Sequence, residues 1–294
     1  MRPLRRAAPT NFALLKGSRG LALGIHPFPT TAEAVAGTLF FLMVADGAIG
    51  FRWLILFGSI FLIHASIGLS NDYCDFALDS QTKPGKPLVR GDINARTALL
   101  VAYIAATAGA LLSLWFGWKT FIVSLAVLAS GVTYNVWAKG TIYSWVPYAV
   151  FIPALPVWGF LAAEKFNPLV LLSFPLGVLI SLALNLANTL PDLTGDVRNG
   201  VKGLAHRLGQ SRSVIVTWCA FGGAVGLLAL TPAVFGNNPR RLFPGLALGS
   251  IILLLMIIDR ATGRSDSSLR RGWYFSAILA IVLGGAWVAS LSAG

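Results

Sequence analysis

Apolar residues run along this chain in long unbroken blocks. They show neither the alternation of half-buried strands nor the one-sided stripes of surface helices. Blocks with little or no charge cover residues 32–50, 53–70, 97–118, 120–138, 140–163, 166–191, 213–239, 242–258 and 272–294. A bilayer-spanning helix needs about 20 apolar residues, within a range of roughly 17–25. Each block fits one such helix, so the pattern predicts an all-α bundle of nine membrane spans. The first span is the weakest, with Glu33 and Asp46 near its ends, and 242–258 is at the short limit.

The stretch before the first span is different. Residues 1–31 are basic and rich in Pro and Gly, with Arg2, Arg5, Arg6, Lys16 and Arg19. They predict an N-terminal arm that includes a short helix on the membrane surface. Residues 32–294 are then a single transmembrane domain. No cleavable signal peptide is expected, because no uninterrupted apolar core follows the basic residues within the arm.

Composition agrees with the spans. Hydrophobic residues make up 56% and charged residues 12% of the 294, whereas soluble domains run near a quarter charged. Cys74 and Cys219 cannot form a disulfide framework, and no Cys/His cluster has zinc spacing. Lysine and arginine divide unevenly. The N-terminal arm and the segments after spans two, four, six and eight hold 18 of the 23, and the other side holds Arg52, Lys119, Lys165, Arg240 and Arg241. By the positive-inside rule the N-terminus faces the cytoplasm and the C-terminus the opposite side. The expected location is a prokaryotic plasma membrane. The net charge of +12 is thus a topology signal. The basic residues are dispersed and lack interleaved aromatics, so no nucleic-acid partner is expected.

The acidic residues are concentrated instead. Asp72, Asp75 and Asp79 follow the second span, and Asp192 and Asp196 follow the sixth, making five of the chain's 11 acids. The first group lies in Asn71-Asp72-Tyr73-Cys74-Asp75-Phe76-Ala77-Leu78-Asp79. The second, about 115 residues on, lies in Asn188-Thr189-Leu190-Pro191-Asp192-Leu193-Thr194-Gly195-Asp196. On a helix, residues i, i+4 and i+8 share a face. Asn71, Asp75 and Asp79 then form one row with Asp72 beside it, and Asn188, Asp192 and Asp196 form another. Pro191 removes a backbone donor from the second row and predicts a kink or fresh helix start there. Two facing acidic rows repel unless cations separate them, and Mg²⁺ is the natural cation for carboxylates and phosphate oxygens together. A basic tail follows each row: Lys83, Lys86 and Arg90 after the first, Arg198, Lys202 and Arg207 after the second.

Carboxylates that bind Mg²⁺, with bases for the remaining phosphate charge, suit a diphosphate at the mouth of a helical bundle. The apolar bundle below suits its lipid tail. If that lipid is an allylic isoprenoid, the metal stabilises the departing diphosphate and an aromatic-lined chamber shields the allylic cation from water.

The residues also carry a family resemblance. Asn71 to Asp79 reads N-D-x-x-D-x-x-x-D. Asp192 to Asp196 reads D-x-x-x-D, followed by Val197-Arg198-Asn199-Gly200. This resembles the UbiA superfamily of intramembrane aromatic prenyltransferases. The likeness continues through Lys86-Pro87-Leu88 and Gly91, and through Leu204 to Gly209. It implies two Mg²⁺ ions, a polyprenyl diphosphate donor and transfer of the prenyl group to a lipophilic, often aromatic acceptor. Residue by residue, it implies metal binding at Asn71, Asp72, Asp75, Asp79, Asn188, Asp192 and Asp196, with the five aspartates as catalytic groups. It implies diphosphate binding by Asn71, Lys83, Lys86, Arg90, Asn188, Arg198 and Lys202. Tyr134 and Lys139 resemble a family Tyr…Lys pair, spaced five apart here where four is common. Lys139 also reads as a positive-inside anchor. His26 and His64 are lone histidines that read as structural.

Three other classes stay open at this point. A membrane terpene cyclase would use the same ionisation with no separate acceptor. A transporter would use intramembrane carboxylates as an ion path. An alcohol phosphotransferase is disfavoured by the absence of D-G-x-x-A-R. Acceptors used within the resembled superfamily include quinone precursors, haem, chlorophyllide and archaeal-type glyceryl lipids.

Overall fold

A computed structural model describes residues 10–46, 49–193, 202–263 and 266–291, and no strand occurs among them. Eleven helices follow in order: α1 (Thr10–Gly24), α2 (Pro27–Val44), α3 (Arg52–Cys74), α4 (Phe76–Thr82), α5 (Ala95–Ser113), α6 (Trp118–Val136), α7 (Tyr148–Ala162), α8 (Ser173–Thr189), α9 (Leu204–Phe235), α10 (Pro239–Thr262) and α11 (Asp266–Leu291). Among the described residues, eight are long and apolar enough to cross a membrane: α2, α3, α5, α6, α8, α9, α10 and α11. α7 is the shorter ninth, at 15 residues. It corresponds to the 140–163 block, whose first part is spent on turns around a 3-10 helix at Ala138–Gly140.

Local chemistry sets the ends. Asn94 caps α5 by accepting from the Thr97 amide at 2.8 Å, and Asn238 caps α10 by accepting from the Arg240 amide at 3.0 Å. α2 starts earlier than the hydrophobic block suggests, at Pro27, where a proline inside the first turn loses no helix bond. Gly209 (φ 75°) breaks α9, separating the short piece 204–208 from the span proper.

The two larger of four apolar clusters among the described residues hold the bundle. One joins α2, α3 and α7 around Phe41, Ile60 and Trp158. The other joins α8, α9, α10 and α11 around Leu184, Phe221, Leu279 and Leu283. Without a hydrophobic drive in lipid, helices pair through close backbone approach and hydrogen bonds. α3 and α5 show this: the Ser59 hydroxyl donates to the Gly109 carbonyl at 2.7 Å, and a Cβ at Gly109 would meet the Ser59 carbonyl at 2.9 Å. Polar clasps mark one end of the bundle, with Arg52–Glu164 and Lys165–Asp46 both at 2.8 Å. The first acidic motif and Asp192 gather elsewhere, where α3, α4, α6 and α8 finish around one cavity.

Candidate active site

The α3 helix does not stop cleanly at the first motif. A turn falls at Asp75, yet the backbone bonds run on from Asp75 to Asn71 (2.9 Å), Asp79 to Asp75 (2.8 Å) and Lys83 to Asp79 (2.7 Å). The i, i+4, i+8 row therefore survives the junction of α3 and α4. Asn71, Asp75 and Asp79 all line a cavity of about 260 Å³. Across it stand Asn188, at the end of α8, and Asp192, in a 3-10 turn (Leu190–Asp192) that starts just before Pro191. The break leaves Asn188 and Asp192 facing one space. Asp196 and Arg198 lie outside the described residues.

Each described aspartate of the two motifs holds a lysine. Lys86 Nζ lies 2.6 Å from Asp72 Oδ1 and 2.7 Å from Asp79 Oδ2. Lys139 pairs with Asp75, and Lys83 pairs with Asp192 at 2.7 Å. Burial works against the charge of Lys86, but Asp72 and Asp79 hold it above the ordinary lysine value. Burial pushes the Asp79 carboxyl above its ordinary value, and Lys86 only partly offsets this. The pair is thus a partly desolvated cluster at the cavity wall.

Asp72 differs from its neighbours. One residue past Asn71 is a turn of about 100° around the helix, so Asp72 lies off the cavity wall and is only 3% exposed. It holds His26 Nε2 at 2.8 Å and Lys86, both of which do line the cavity. His26 reaches it because the chain turns there with φ 53°, uncommon for a residue other than glycine. Gly68 allows the approach: a Cβ on it would meet the Ile25 carbonyl at 3.0 Å.

The two asparagines are used alike. Asn71 donates Nδ2 to Asn135 Oδ1 at 3.1 Å, and Asn188 donates Nδ2 to the Tyr148 hydroxyl at 2.9 Å. Asn135 is fixed in turn by donating to the Ile67 carbonyl and the Ser70 hydroxyl, both at 2.9 Å. With one amide hydrogen of each turned to these partners, both asparagines keep a carbonyl oxygen to offer.

Among the described residues no three His, Cys, Asp or Glu side chains already form a metal cluster. The donor chemistry nevertheless fits Mg²⁺: carboxylates of Asp75, Asp79 and Asp192 with carbonyl oxygens of Asn71 and Asn188, all hard oxygens around one space.

Tyr134, Lys83, Lys86 and Lys139 also line the cavity. Arg90 does not: it pairs with Asp92 on the loop before α5. Lys202 is exposed and away from the wall. Sequence reasoning missed Glu33, Tyr148, Phe151 and Trp273, and read His26 and His64 as structural, yet all six line the cavity. Helical spacing from Asn71 was the available signal for His64, Ile67 and Gly68.

Next to this cavity lies a second, apolar chamber of about 90 Å³ between α2, α7, α8 and α11. Pro29, Glu33, Ile152, Leu184 and Trp273 line both.

The family model for UbiA prenyltransferases matches residues 34–279. The chain belongs to the UbiA prenyltransferase family. Family membership makes it a prenyltransferase and an integral, multi-pass membrane protein. It is 26% identical over 221 residues to a digeranylgeranylglyceryl phosphate synthase of Thermococcus gammatolerans, covering 72% of this chain and 78% of that one. It is 25% identical over 226 residues to glycinol 4-dimethylallyltransferase of Glycine max, covering 69% and 54% respectively. Its fold superimposes on a UbiA homologue from Archaeoglobus fulgidus bound to GPP and Mg²⁺ with a TM-score of 0.73, at 16% identity, covering 92% of this chain and 100% of that chain. The shared architecture is that of the family, and the transporter reading is set aside with it.

Proposed function

We propose that this prenyltransferase moves a prenyl group from an isoprenoid diphosphate to a lipophilic acceptor within the membrane, with Mg²⁺ between the two motif rows. The observation that carries this is a mouth of carboxylates and lysines set against an apolar chamber, with five residues lining both. A diphosphate and its hydrocarbon tail need that sequence of surroundings.

Asn71, Asp75, Asp79, Asn188 and Asp192 hold the metal, and Asp196 joins them by the resemblance of the second motif. Bound Mg²⁺ supplies Lewis-acid charge to the oxygens of the departing diphosphate. Lys83, Lys86 and Lys139 change partners when the donor arrives. With Asp192, Asp79 and Asp75 holding Mg²⁺, the ammonium groups of Lys83, Lys86 and Lys139 would be available to phosphate oxygens, as charge-assisted bonds that strengthen when negative charge builds there. Asp72 stays behind as the positioning group for Lys86 and His26. Arg198, carried over from the family motif, is assigned to the outer diphosphate oxygens by that resemblance, whereas Lys202 stands away from the cavity wall. Tyr148, Phe151 and Trp273 line the mouth cavity, and Trp273 the chamber as well, where their rings shield the allylic cation from water.

The two relatives differ in the chemistry that their names print, a glyceryl phosphate for one and glycinol for the other. The active-site mouth and N-terminus face the cytoplasm, as the 18-to-5 division of basic residues supports. The test is to incubate purified protein with Mg²⁺, a panel of prenyl diphosphates and candidate acceptors, with mass detection. Prenylated acceptor is the expected product. Cyclised hydrocarbon from donor alone would replace the transferase reading with a cyclase.

A further inference from the structure

Two ionisable residues lie deeper in the bundle than the motifs, and the metal and diphosphate chemistry leaves them unused. Glu33 of α2 pairs with His64 Nδ1 of α3. Both line the cavity, and Glu33 is the one charged side chain among the described residues lining the apolar chamber. His64 lies two helical turns before Asn71 on the same face, about 10 Å deeper along α3. That depth is past a diphosphate held by the motif rows and near the first carbons of its tail.

Ionisable groups at membrane depth are costly and need a reason to persist. A pair that only clamped α2 to α3 would be expected to satisfy both imidazole nitrogens, because a buried polar atom without a partner costs free energy. His64 is 5% exposed, and its Nε2 has no hydrogen-bond partner. The carboxylate on Nδ1 fixes the tautomer, so that Nε2 is the acceptor, and it stabilises the imidazolium once a proton arrives. Phe151 packs edge-on against the ring at 6.0 Å and holds its plane. Among the described residues no lysine or arginine lines the apolar chamber, so nothing there pairs with a carboxylate on the acceptor.

We propose that His64 accepts the proton of the acceptor's hydroxyl group, with Glu33 as its positioning residue, and that the acceptor is a hydroxyl-bearing lipid uncharged at its reacting end. The inference rests on the transferase reading above. As the C1–O bond to diphosphate breaks, its electron pair leaves with the diphosphate. The acceptor oxygen forms the new bond to C1 and its proton passes to His64 Nε2. The imidazolium, paired with Glu33, then returns the proton to diphosphate or water as products leave.

The test uses the full chain with geranyl diphosphate, Mg²⁺ and four probes: a 1-O-alkylglycerol, a 4-alkylphenol, the dimethyl ether of the first and the methyl ether of the second. Diphosphate release without acceptor is measured in parallel. Wild type should prenylate the hydroxyl probes and leave the ethers untouched. His64→Phe should lower transfer by about 10²-fold or more, the scale of general-base catalysis, while acceptor-free diphosphate release stays within about threefold. His64→Gln places an acceptor oxygen near Nε2 without its basicity, so acceptor KM should recover while kcat stays low. Glu33→Gln keeps an oxygen for Nδ1 but loses the charge, and should lower kcat with little change in donor KM. Equal losses of transfer and acceptor-free release in all three variants, or transfer at wild-type rate, would overturn the assignment. A wild type that neither releases diphosphate nor transfers to any probe would instead overturn the transferase reading on which it rests.

Discussion

Lys83 Nζ sits 2.7 Å from Asp192 Oδ2, joining two residues 109 positions apart. The basic tail of the first acidic motif thereby closes on the second. This contact ties the α3–α4 junction to the end of α8 and places a movable cation between the two rows.

Lys83→Met should loosen that closure and remove one diphosphate contact. A charge-assisted hydrogen bond contributes about 1.5–3 kcal/mol, so donor KM should rise about tenfold or more. Acceptor KM should hardly change, because the acceptor approaches from the apolar side. Steady-state kinetics with each substrate varied in turn measures both.

The parallel use of Asn71 and Asn188 gives a sharper test of metal binding. Each donates its amide inward and keeps a carbonyl oxygen, so an oxygen ligand is what matters at these positions. Asn188→Asp keeps the oxygen and should retain Mg²⁺-dependent turnover. Asn188→Leu should raise the Mg²⁺ concentration for half-maximal rate by about 10–100-fold. A Mg²⁺ titration of both variants decides it, with Tyr148→Phe as the control for the lost inner partner.

Gly68→Ala probes the docking of α2 onto α3. The added methyl meets the Ile25 carbonyl at 3.0 Å, and overpacking of this kind costs about 1–3 kcal/mol. His26 should withdraw from Asp72, leaving Lys86 less firmly held. A lowered melting temperature with a raised donor KM is expected. An unchanged donor KM would show that His26 does not help position the lysine.

The acidic row was readable because a 3.6-residue period projects Asn71, Asp75 and Asp79 onto one face whether or not the helix turns at Asp75. The nine spans were readable because lipid demands uninterrupted apolar length. The motif resemblance put Asp72 with the metal residues, and the structure shows it one helical step off the cavity wall, against Lys86 and His26. The His26–Asp72 pair depends on a left-handed turn and a Gly68 contact that no periodicity encodes. Glu33 weakened the first span and His64 was an isolated histidine, so neither suggested the other until α2 and α3 were packed together.

The sidedness proposed from the basic residues has its own check. Cys74 and the turn after Ala138 should face the cytoplasm and the C-terminal end the other side. Reporter fusions after Ala138 and after Gly294 should give opposite readouts. The same readout at both points contradicts the nine-span topology.

The central claim is that the paired rows bind a prenyl diphosphate through Mg²⁺ at the cavity mouth. Asp75 tests it most directly, because it sits mid-row on the wall and holds only Lys139. The measurement is prenyl transfer by purified wild-type and Asp75→Ala protein, with added Mg²⁺ and with chelator. Wild type should be active with Mg²⁺ and silent with chelator, and Asp75→Ala should lose on the order of 10²-fold or more while remaining folded. Full turnover of Asp75→Ala with chelator present would contradict the account.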